Sequence, residues 1–146
     1  MKNYYPLFLN LNAQAAVVVG GGKVAARKIR SLLKAGADVT VIAPDISAAI
    51  RRLKRVRLLA RAYRNGDLRG ARLVVAATDS LDVNRRVCTE AQRRRILANC
   101  AAPPDAGNFI VPSVVRRGVV TIAISTAGTK PEHAKALRLK LEKLLR

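Results

Sequence analysis

Three small residues at a fixed spacing, Gly20, Gly22 and Ala25, follow a run of β-branched residues and precede a helix-compatible stretch. This is the spacing of the glycine-rich turn that binds the pyrophosphate of a dinucleotide. The first glycine makes the turn, the second lets the backbone approach the pyrophosphate, and the small third residue lets helix and strand pack closely. Phosphates bind free N–H groups at the helix start, so the predicted cofactor site includes Lys23 and Val24. A glycine turn that serves packing alone is the alternative.

An acidic residue, Asp45, follows the second predicted strand after Pro44 and lies 25 residues beyond Gly20. Folds with such a glycine turn place an acid near this position, where it binds the adenosine ribose. We therefore predict that Pro44 and Asp45 line the cofactor site and that the cofactor is NAD, because an acid would repel a ribose 2′-phosphate. Asp is also a good helix N-cap, and Asp45 could fill both roles. Arginines and lysines at positions 51–57 leave NADP open.

Two polar residues, Thr78 and Asp79, lie at the end of the predicted strand 73–77. Ligands of open α/β sheets bind outside the carboxyl ends of the strands, so both residues are predicted to contact the cofactor. The alternative is that Asp79 or Asp82 only caps the following helix.

The elements that would position these residues alternate between strand and helix up to residue 100. Apolar runs predict strands at 15–19, 38–43, 57–62, 73–77 and 97–100, and helices are predicted at 23–35, 46–53 and 83–95. Nearly continuous apolar strands are typical of a parallel sheet that is covered on both faces. We therefore expect an α/β domain over residues 1–107, with a Rossmann-like, doubly wound parallel sheet that binds NAD.

Residues 108–146 have a different pattern. Two apolar strands, 109–115 and 119–125, flank a short basic turn at 116–118 and predict an antiparallel hairpin. A hairpin and one helix are too small to hold a core alone. This segment must therefore pack on the first domain or on another chain, and we predict that it forms a homodimer.

The last predicted helix begins at a capping box made by Thr129 and Glu132, with Pro131 in its first turn. Its apolar residues would share one face. They are Ala134, Leu137, Leu141, Leu144 and Leu145.

The chain carries 28 Lys and Arg against nine Asp and Glu, which gives a formal net charge of +19. A field of this sign attracts anions, such as cofactor phosphates or a small polycarboxylate. Nucleic acid is not the expected partner, because only 3% of the residues are aromatic and base-stacking side chains are nearly missing. The charge could also be a general trait of the source organism's proteins.

No membrane, metal or secretory feature is predicted. Charges interrupt every apolar run, and the first residues lack the apolar core of a signal peptide. Cys88 and Cys100 have no metal or redox spacing, so both are expected to be reduced thiols in a cytoplasmic protein. His133 is the only histidine and is interpreted as a surface residue.

Several segments, taken in order, resemble the precorrin-2 dehydrogenase family, the dehydrogenase module of siroheme synthases. They are YPLFL (5–9), VVGGGKVAARK (18–28), AATD (76–79), VNR (83–85), FIVPS (109–113) and IAISTAGTKP (122–131). The resemblance extends over essentially the whole chain. It implies NAD-dependent oxidation of precorrin-2, a tetrapyrrole polycarboxylate, to sirohydrochlorin, and a homodimer formed through the hairpin segment.

The sequence departs from this family at one functionally important position. The family's Asp on the loop between Asn99 and Phe109 aligns with Ala102, and Ala can neither accept a proton nor hold a metal. An introduced substitution, replacement by Asp105 three residues on, and altered chemistry are the open explanations. Ala102 and Asp105 are therefore the candidate catalytic positions. The departure counts against the iron insertion that some members perform, and a regulatory NAD-binding module without turnover is the alternative function.

Overall fold

The computed structural model describes residues 3–145, which form two compact units. One unit comprises residues 8–109, and the other comprises residues 3–7 and 110–145. The functional division into domains 1–107 and 108–146 remains a prediction.

The first unit is a five-stranded parallel sheet with helices on both faces. Its strands are β1 (Ala15–Val19), β2 (Asp38–Ile42), β3 (Val56–Leu59), β4 (Leu73–Ala76) and β5 (Leu97–Cys100), and its helices are α1 (Lys23–Lys34), α2 (Ala48–Arg51) and α3 (Leu81–Arg93). The strand order β3-β2-β1-β4-β5 is that of a doubly wound sheet, which confirms the Rossmann-like prediction. The winding reverses between β1 and β4, so a ligand crevice is expected at the carboxyl ends of these two strands.

Both faces of this sheet are buried, because its strands are apolar on both sides. Val18 and Val41 belong to the core on one face, together with Ile29 of α1. Val74 belongs to the core on the other face, together with Val87 of α3. The two cores fix α1 and α3 against the sheet and thereby position the loops that precede each helix.

The cap residues of two helices differ from the predicted ones. Ser47 is the N-cap of α2, so the alternative role of Asp45, as the N-cap of this helix, is wrong. Ser80 is the N-cap of α3, and its side-chain oxygen accepts a backbone N–H of the first turn at 3.3 Å. The alternative caps Asp79 and Asp82 are therefore also wrong.

Several predicted element bounds differ from the observed ones, and the largest changes in length in the first unit are at β3 and α2. The predicted strand 57–62 ends at Leu59, because β3 is an edge strand and pairs only with residues Val39 to Ile42 of β2. The predicted helix 46–53 is the single turn Ala48–Arg51, with Ser47 as its N-cap and Arg52 as its C-cap. Gly36 follows the C-cap of α1 with φ +79, a left-handed conformation in which helices commonly end at glycine.

A side chain occupies the outer edge of β5. The amide of Asn108 accepts a hydrogen bond from the Ala98 N–H at 2.8 Å and donates one to the Ile96 carbonyl at 3.2 Å. Gly107 lies so close to the strand that a Cβ there would be 2.7 Å from the Ala98 oxygen. The chain that leaves β5 is thereby bound back onto this strand.

A buried carboxylate anchors the connection between β3 and β4. Glu90 of α3 accepts hydrogen bonds from the Tyr63 hydroxyl, from the Gly66 N–H at 2.9 Å and from Arg94 Nε at 2.7 Å. Burial alone would raise the pKa of the Glu90 carboxyl, but the three hydrogen bonds outweigh burial and hold this pKa below its usual range. Burial and the bond to Glu90 raise the pKa of Tyr63, which therefore remains the donor.

The second unit contains the predicted hairpin and helix. They are β6 (Ser113–Arg117), β7 (Val120–Ile124) and α4 (Pro131–Leu144). The strands are antiparallel, the first begins at Ser113 rather than at residue 109, and the turn lies at Gly118 and Val119 rather than at 116–118. The difference arises because Arg117 still pairs with Val120 and so extends the strand.

The capping box predicted at the start of α4 is wrong. The N-cap is Lys130, whose side chain makes no capping bond, and Thr129 Oγ1 instead donates to the Thr126 carbonyl at 2.6 Å. Pro131 is the first helical residue, as predicted.

The apolar face predicted for α4 is only partly covered within its own unit. Ala134 is buried and Leu141 is half-buried, whereas Leu137, Leu144 and Leu145 are exposed.

Candidate functional site

Three loops leave the sheet at the carboxyl ends of β1, β2 and β4. The register aligns Val19 with both Ile42 and Ala76, so the three strands end at the same level. The Gly20 N–H donates to the Ile42 carbonyl at 2.9 Å, and the Ala77 N–H donates to the Val19 carbonyl at 2.8 Å. The loops after these strands therefore meet at the edge where doubly wound sheets bind ligands.

Gly20 and Gly21 are required by the protein's own backbone. Gly20 has φ +136, and a Cβ at this position would lie 2.2 Å from the Ala77 oxygen. A Cβ at Gly21 would lie 1.9 Å from the carbonyl oxygen of Asp45, and the Gly21 oxygen accepts the Ser47 N–H at 2.9 Å. Gly21 was not among the predicted residues, because a contact between two loops leaves no local sequence pattern.

Gly22 has a different environment. It is the exposed N-cap of α1, and a Cβ built there would meet no protein atom within 4 Å. Packing inside the protein therefore does not explain the glycine, whereas a side chain would fill the space at the helix start.

The first turn of α1 presents unpaired backbone donors beside Gly22. The Ala26 N–H donates to the Gly22 oxygen at 2.9 Å, and the preceding N–H groups of Lys23, Val24 and Ala25 have no intrahelical partner. No acidic residue lies in this turn. The helix N-terminus carries partial positive charge, so these residues fit the pyrophosphate of a dinucleotide. Ala25 is fully buried, as the close packing of helix and strand requires.

The loop between β2 and α2 lies beside this turn. Pro44 and Asp45 are exposed at the end of β2, next to Gly21. Arg51 Nε donates to the Ile46 carbonyl at 3.1 Å, which brings a guanidinium group back to the same loop. A carboxylate and a guanidinium group are thus both available where the adenosine ribose of a dinucleotide would bind.

The loop after β4 is held by Asn84, a fully buried residue of α3. Asn84 Oδ1 accepts the Thr78 N–H at 3.0 Å and the Thr78 hydroxyl at 2.7 Å. Asn84 Nδ2 donates to the Thr78 carbonyl at 3.1 Å and to the Ala102 carbonyl at 2.8 Å. The amide uses its full hydrogen-bonding capacity, while Asp79 of the same loop is exposed.

The role of Asn84 could have been predicted from its position on the apolar face of α3. Asn84, Val87, Cys88 and Ala91 are all buried and recur at helical spacing along α3. A polar residue on the apolar face of a helix must find hydrogen-bond partners inside the protein. This pattern marks Asn84 as a residue that organises its surroundings.

The two candidate catalytic positions lie on the loop after β5. Ala102 is half-buried, and its carbonyl is held by Asn84. Asp105 is exposed and lies in a short 3-10 turn, Pro104–Ala106. The structure thus places position 102 beside Thr78 through a shared partner, and it places Asp105 on the same loop.

A cavity of about 380 Å³ lies between this turn and α3. Arg85, Thr89 and Asp105 are among the residues that line it. Gln92 Nε2 donates to the Ala106 carbonyl at 3.2 Å and joins the two walls.

The residues 3–145 provide no cluster of three or more His, Cys, Asp or Glu that could hold a metal ion. Within the same range, no helix has the length and apolar character needed to cross a membrane.

Cys88 and Cys100 are buried thiols, and burial together with the neighbouring Cys100 raises the pKa of Cys88 to about 12. Such a thiol is a poor nucleophile at neutral pH. His133 is exposed.

Comparisons with known proteins give consistent matches. The family model "Putative NAD(P)-binding" matches residues 7–113. The siroheme synthase of Methylobacillus flagellatus is 43% identical over 143 residues, which are 96% of this chain and 31% of that protein. The precorrin-2 dehydrogenase of Bacillus subtilis is 33% identical over 143 residues, which are 96% of this chain and 88% of that protein.

A solved structure, "SirC, precorrin-2 dehydrogenase", superimposes with a TM-score of 0.83 at 31% identity and covers 98% of this chain and 72% of that one. The chain spans only about a third of the siroheme synthases that it matches, for example 31% of the one from Serratia proteamaculans at 39% identity.

Proposed function

The chain belongs to the precorrin-2 dehydrogenase family, and on that basis we propose that it catalyses the NAD-dependent oxidation of precorrin-2 to sirohydrochlorin. The observation that carries the proposal is the glycine turn, in which Gly22 leaves a space that no protein atom occupies and α1 offers unpaired N–H groups beside it. A family of dehydrogenases and a turn that fits a dinucleotide support the same activity.

When it is bound, NAD supplies the hydride acceptor of the reaction. The backbone N–H groups of Lys23, Val24 and Ala25 would bind its pyrophosphate, and Asp45 would accept hydrogen bonds from the adenosine ribose. Thr78 and Asp79 lie at the end of β4, on the side of the crevice opposite to β2. They would therefore contact the half of the cofactor that carries the reacting ring.

We favour NAD over NADP because of the charge of Asp45. A carboxylate at the ribose repels a 2′-phosphate. Arg51 acts in the opposite direction, but its Nε is already bound to the Ile46 carbonyl at 3.1 Å. Asp45 is exposed on the loop that contacts Gly21, and this carboxylate supports a preference for NAD.

The proton that leaves the substrate needs an acceptor, and Ala102 cannot provide one. Asp105 is the carboxylate of the same loop, and it lines the cavity beside α3 together with Arg85 and Thr89. We assign proton acceptance to Asp105, with Asn84 as the positioning residue that holds the loop through the Ala102 carbonyl.

The remaining features suit this activity. A net charge of +19 favours a substrate that carries several carboxylates. The exposed Leu137 and Leu144 of α4, together with its C-cap Leu145, support a homodimer built through the second unit. Two reduced cysteines are consistent with a cytoplasmic protein. Iron insertion is not proposed, because position 102 lacks a carboxylate.

The alternative is an NAD-binding regulatory module without turnover, and Ala102 is the observation that favours it. One experiment separates the two functions: anaerobic incubation with precorrin-2 and NAD, with absorbance recorded for sirohydrochlorin and for NADH. Appearance of both products in equal amounts supports the dehydrogenase. Binding of NAD by calorimetry without either product supports the regulatory module.

A further inference from the structure

A second cavity, of about 460 Å³, opens where the chain enters β1, β4 and β5. This is the amino-terminal end of the sheet, opposite to the glycine turn. Gln14, the turn 68–72, Arg94 and Ile96 line it, and none of its lining residues is acidic or aromatic. Leu68 and Ile96 are buried and form its apolar floor.

Three arginines, Arg69, Arg72 and Arg94, are among the residues that line this cavity, with little compensating charge. Arg94 is paired through its Nε with Glu90 at 2.7 Å. Arg69 and Arg72 take part in none of the salt bridges found within residues 3–145. Like charges around one cavity repel each other, and an anion bound between them removes the repulsion.

A helix dipole commonly explains a basic residue at this end of a parallel sheet, but here it explains only one of the three arginines. Arg94 is the C-cap of α3, where a cation is stabilised by the negative end of the helix dipole. Arg69 and Arg72 lie between β3 and β4, in a connection that contains no helix. The dipole therefore gives no account of these two residues, whereas an anionic ligand does.

We propose that Arg69, Arg72 and Arg94 form a second anion-binding site, which takes a small non-aromatic molecule with adjacent phosphate or carboxylate groups. Guanidinium groups bind both kinds of oxyanion through paired N–H donors. The cavity has the size of a small-ligand site, and no aromatic side chain for base stacking is among the residues that line it. A bound anion would join the loops that enter β1, β4 and β5.

The test is a titration of the isotope-labelled protein with pyrophosphate, followed by ¹⁵N NMR at an ionic strength held constant with sodium chloride. We expect saturable shifts of the Gly70 and Ala71 amides and of the Arg69 and Arg72 side-chain Nε–H groups. Citrate in place of pyrophosphate distinguishes a carboxylate ligand from a phosphate ligand. Pyrophosphate could also bind at the glycine turn. The amides of residues 20–25 give separate resonances, so binding at the two sites is distinguished.

The double variant Arg69→Gln/Arg72→Gln should lose the shifts at Gly70 and Ala71 and bind at least tenfold more weakly at this cavity. Arg27→Gln/Arg30→Gln removes the same charge from exposed positions of α1 and should leave the shifts at Gly70 and Ala71 unchanged. The proposal is overturned if the unmodified protein shows shifts only at 20–25, or only weak, non-saturating shifts at all basic residues. Both results are measured on the unmodified protein, so they do not depend on whether a variant folds.

Discussion

The side-chain amide of Asn84 donates a hydrogen bond to the carbonyl oxygen of Ala102, with 2.8 Å between the nitrogen and the oxygen. Three further hydrogen bonds join the same amide to Thr78. A buried helix residue therefore ties the loop after β4 to the loop after β5. The position of the candidate catalytic loop depends on α3 as well as on its own sequence.

Asn84→Asp should destabilise the protein by about 2 kcal/mol or more, because a carboxylate cannot donate to the Thr78 and Ala102 carbonyls and leaves both without their partner. We expect kcat to fall more than the affinity for NAD, since the glycine turn is untouched. Urea denaturation and steady-state kinetics measure the two effects. Asn65→Asp, the same change at an exposed turn residue, is the control, and equal stability of the two variants would contradict this role of Asn84.

Gly22→Val should abolish NAD binding and leave the fold intact, because a Cβ there meets no protein atom within 4 Å and the side chain enters the space beside the first turn of α1. Gly21→Ala should instead unfold or strongly destabilise the protein, since its Cβ would lie 1.9 Å from the Asp45 oxygen. Calorimetry with NAD and NADP, together with thermal denaturation, separates these results. Tighter binding of NADP by the unmodified chain would reverse the assignment of the cofactor.

Ala102→Asp should raise turnover if the missing carboxylate is the proton acceptor of the family, and general-base assistance is typically worth about 10²–10⁴-fold. The affinity for NAD should barely change, because position 102 lies outside the phosphate-binding turn. If Asp105 has taken over the role, Asp105→Ala removes most of the activity and Ala102→Asp gains little. Substantial turnover that neither substitution affects would refute both assignments.

Glu90→Gln should lower stability at neutral pH, and its effect should shrink in acid. The folded-state pKa of Glu90 is depressed, so its carboxylate contributes stability above the unfolded pKa of about 4.3 and loses it as pH falls through the folded pKa. Urea denaturation of the unmodified protein and the variant at pH 7 and pH 3 measures the difference. Glu132→Gln, at an exposed site, serves as the control, and a gap of equal size at both pH values would be inconsistent with this titration.

Val120→Asp should weaken the proposed homodimer, because Val120 is an exposed apolar residue of β7 and a charge there would have to be desolvated in an interface. Leu81→Asp is a matched control, since both side chains are 50% exposed and Leu81 belongs to the first unit. Sedimentation velocity at micromolar concentration gives the mass of each. A folded monomer for the unmodified chain would refute the dimer.

The strands of the first unit were predictable because burial on both faces demands continuous apolar runs. Val17, Val18 and Val19 have no polar alternation, and β5 was predicted with its observed bounds, Leu97–Cys100. The glycine turn was equally accessible, since its spacing between strand and helix is local in sequence.

The helix caps were less predictable, because several residues near each helix start have suitable side chains. Asp45, Asp79 and Thr129 are all good caps by type, yet none of them is the N-cap of its helix. In the case of Asp45, the backbone is already in contact with Gly21 through its carbonyl oxygen. Contacts of this kind join distant parts of the chain and cannot be inferred from neighbouring residues.

Asn108 has a consequence for solubility. A strand at the edge of a sheet is a template for aggregation, because its free N–H and C=O groups can pair with a strand of another molecule. The Asn108 amide already pairs with Ala98 and Ile96, and so it blocks the outer edge of β5 against such growth. The backbone N–H groups of Asn108 and Phe109 also donate to the Ala98 carbonyl, at 2.9 and 3.3 Å, so the returning segment protects the sheet where a sixth strand would otherwise add.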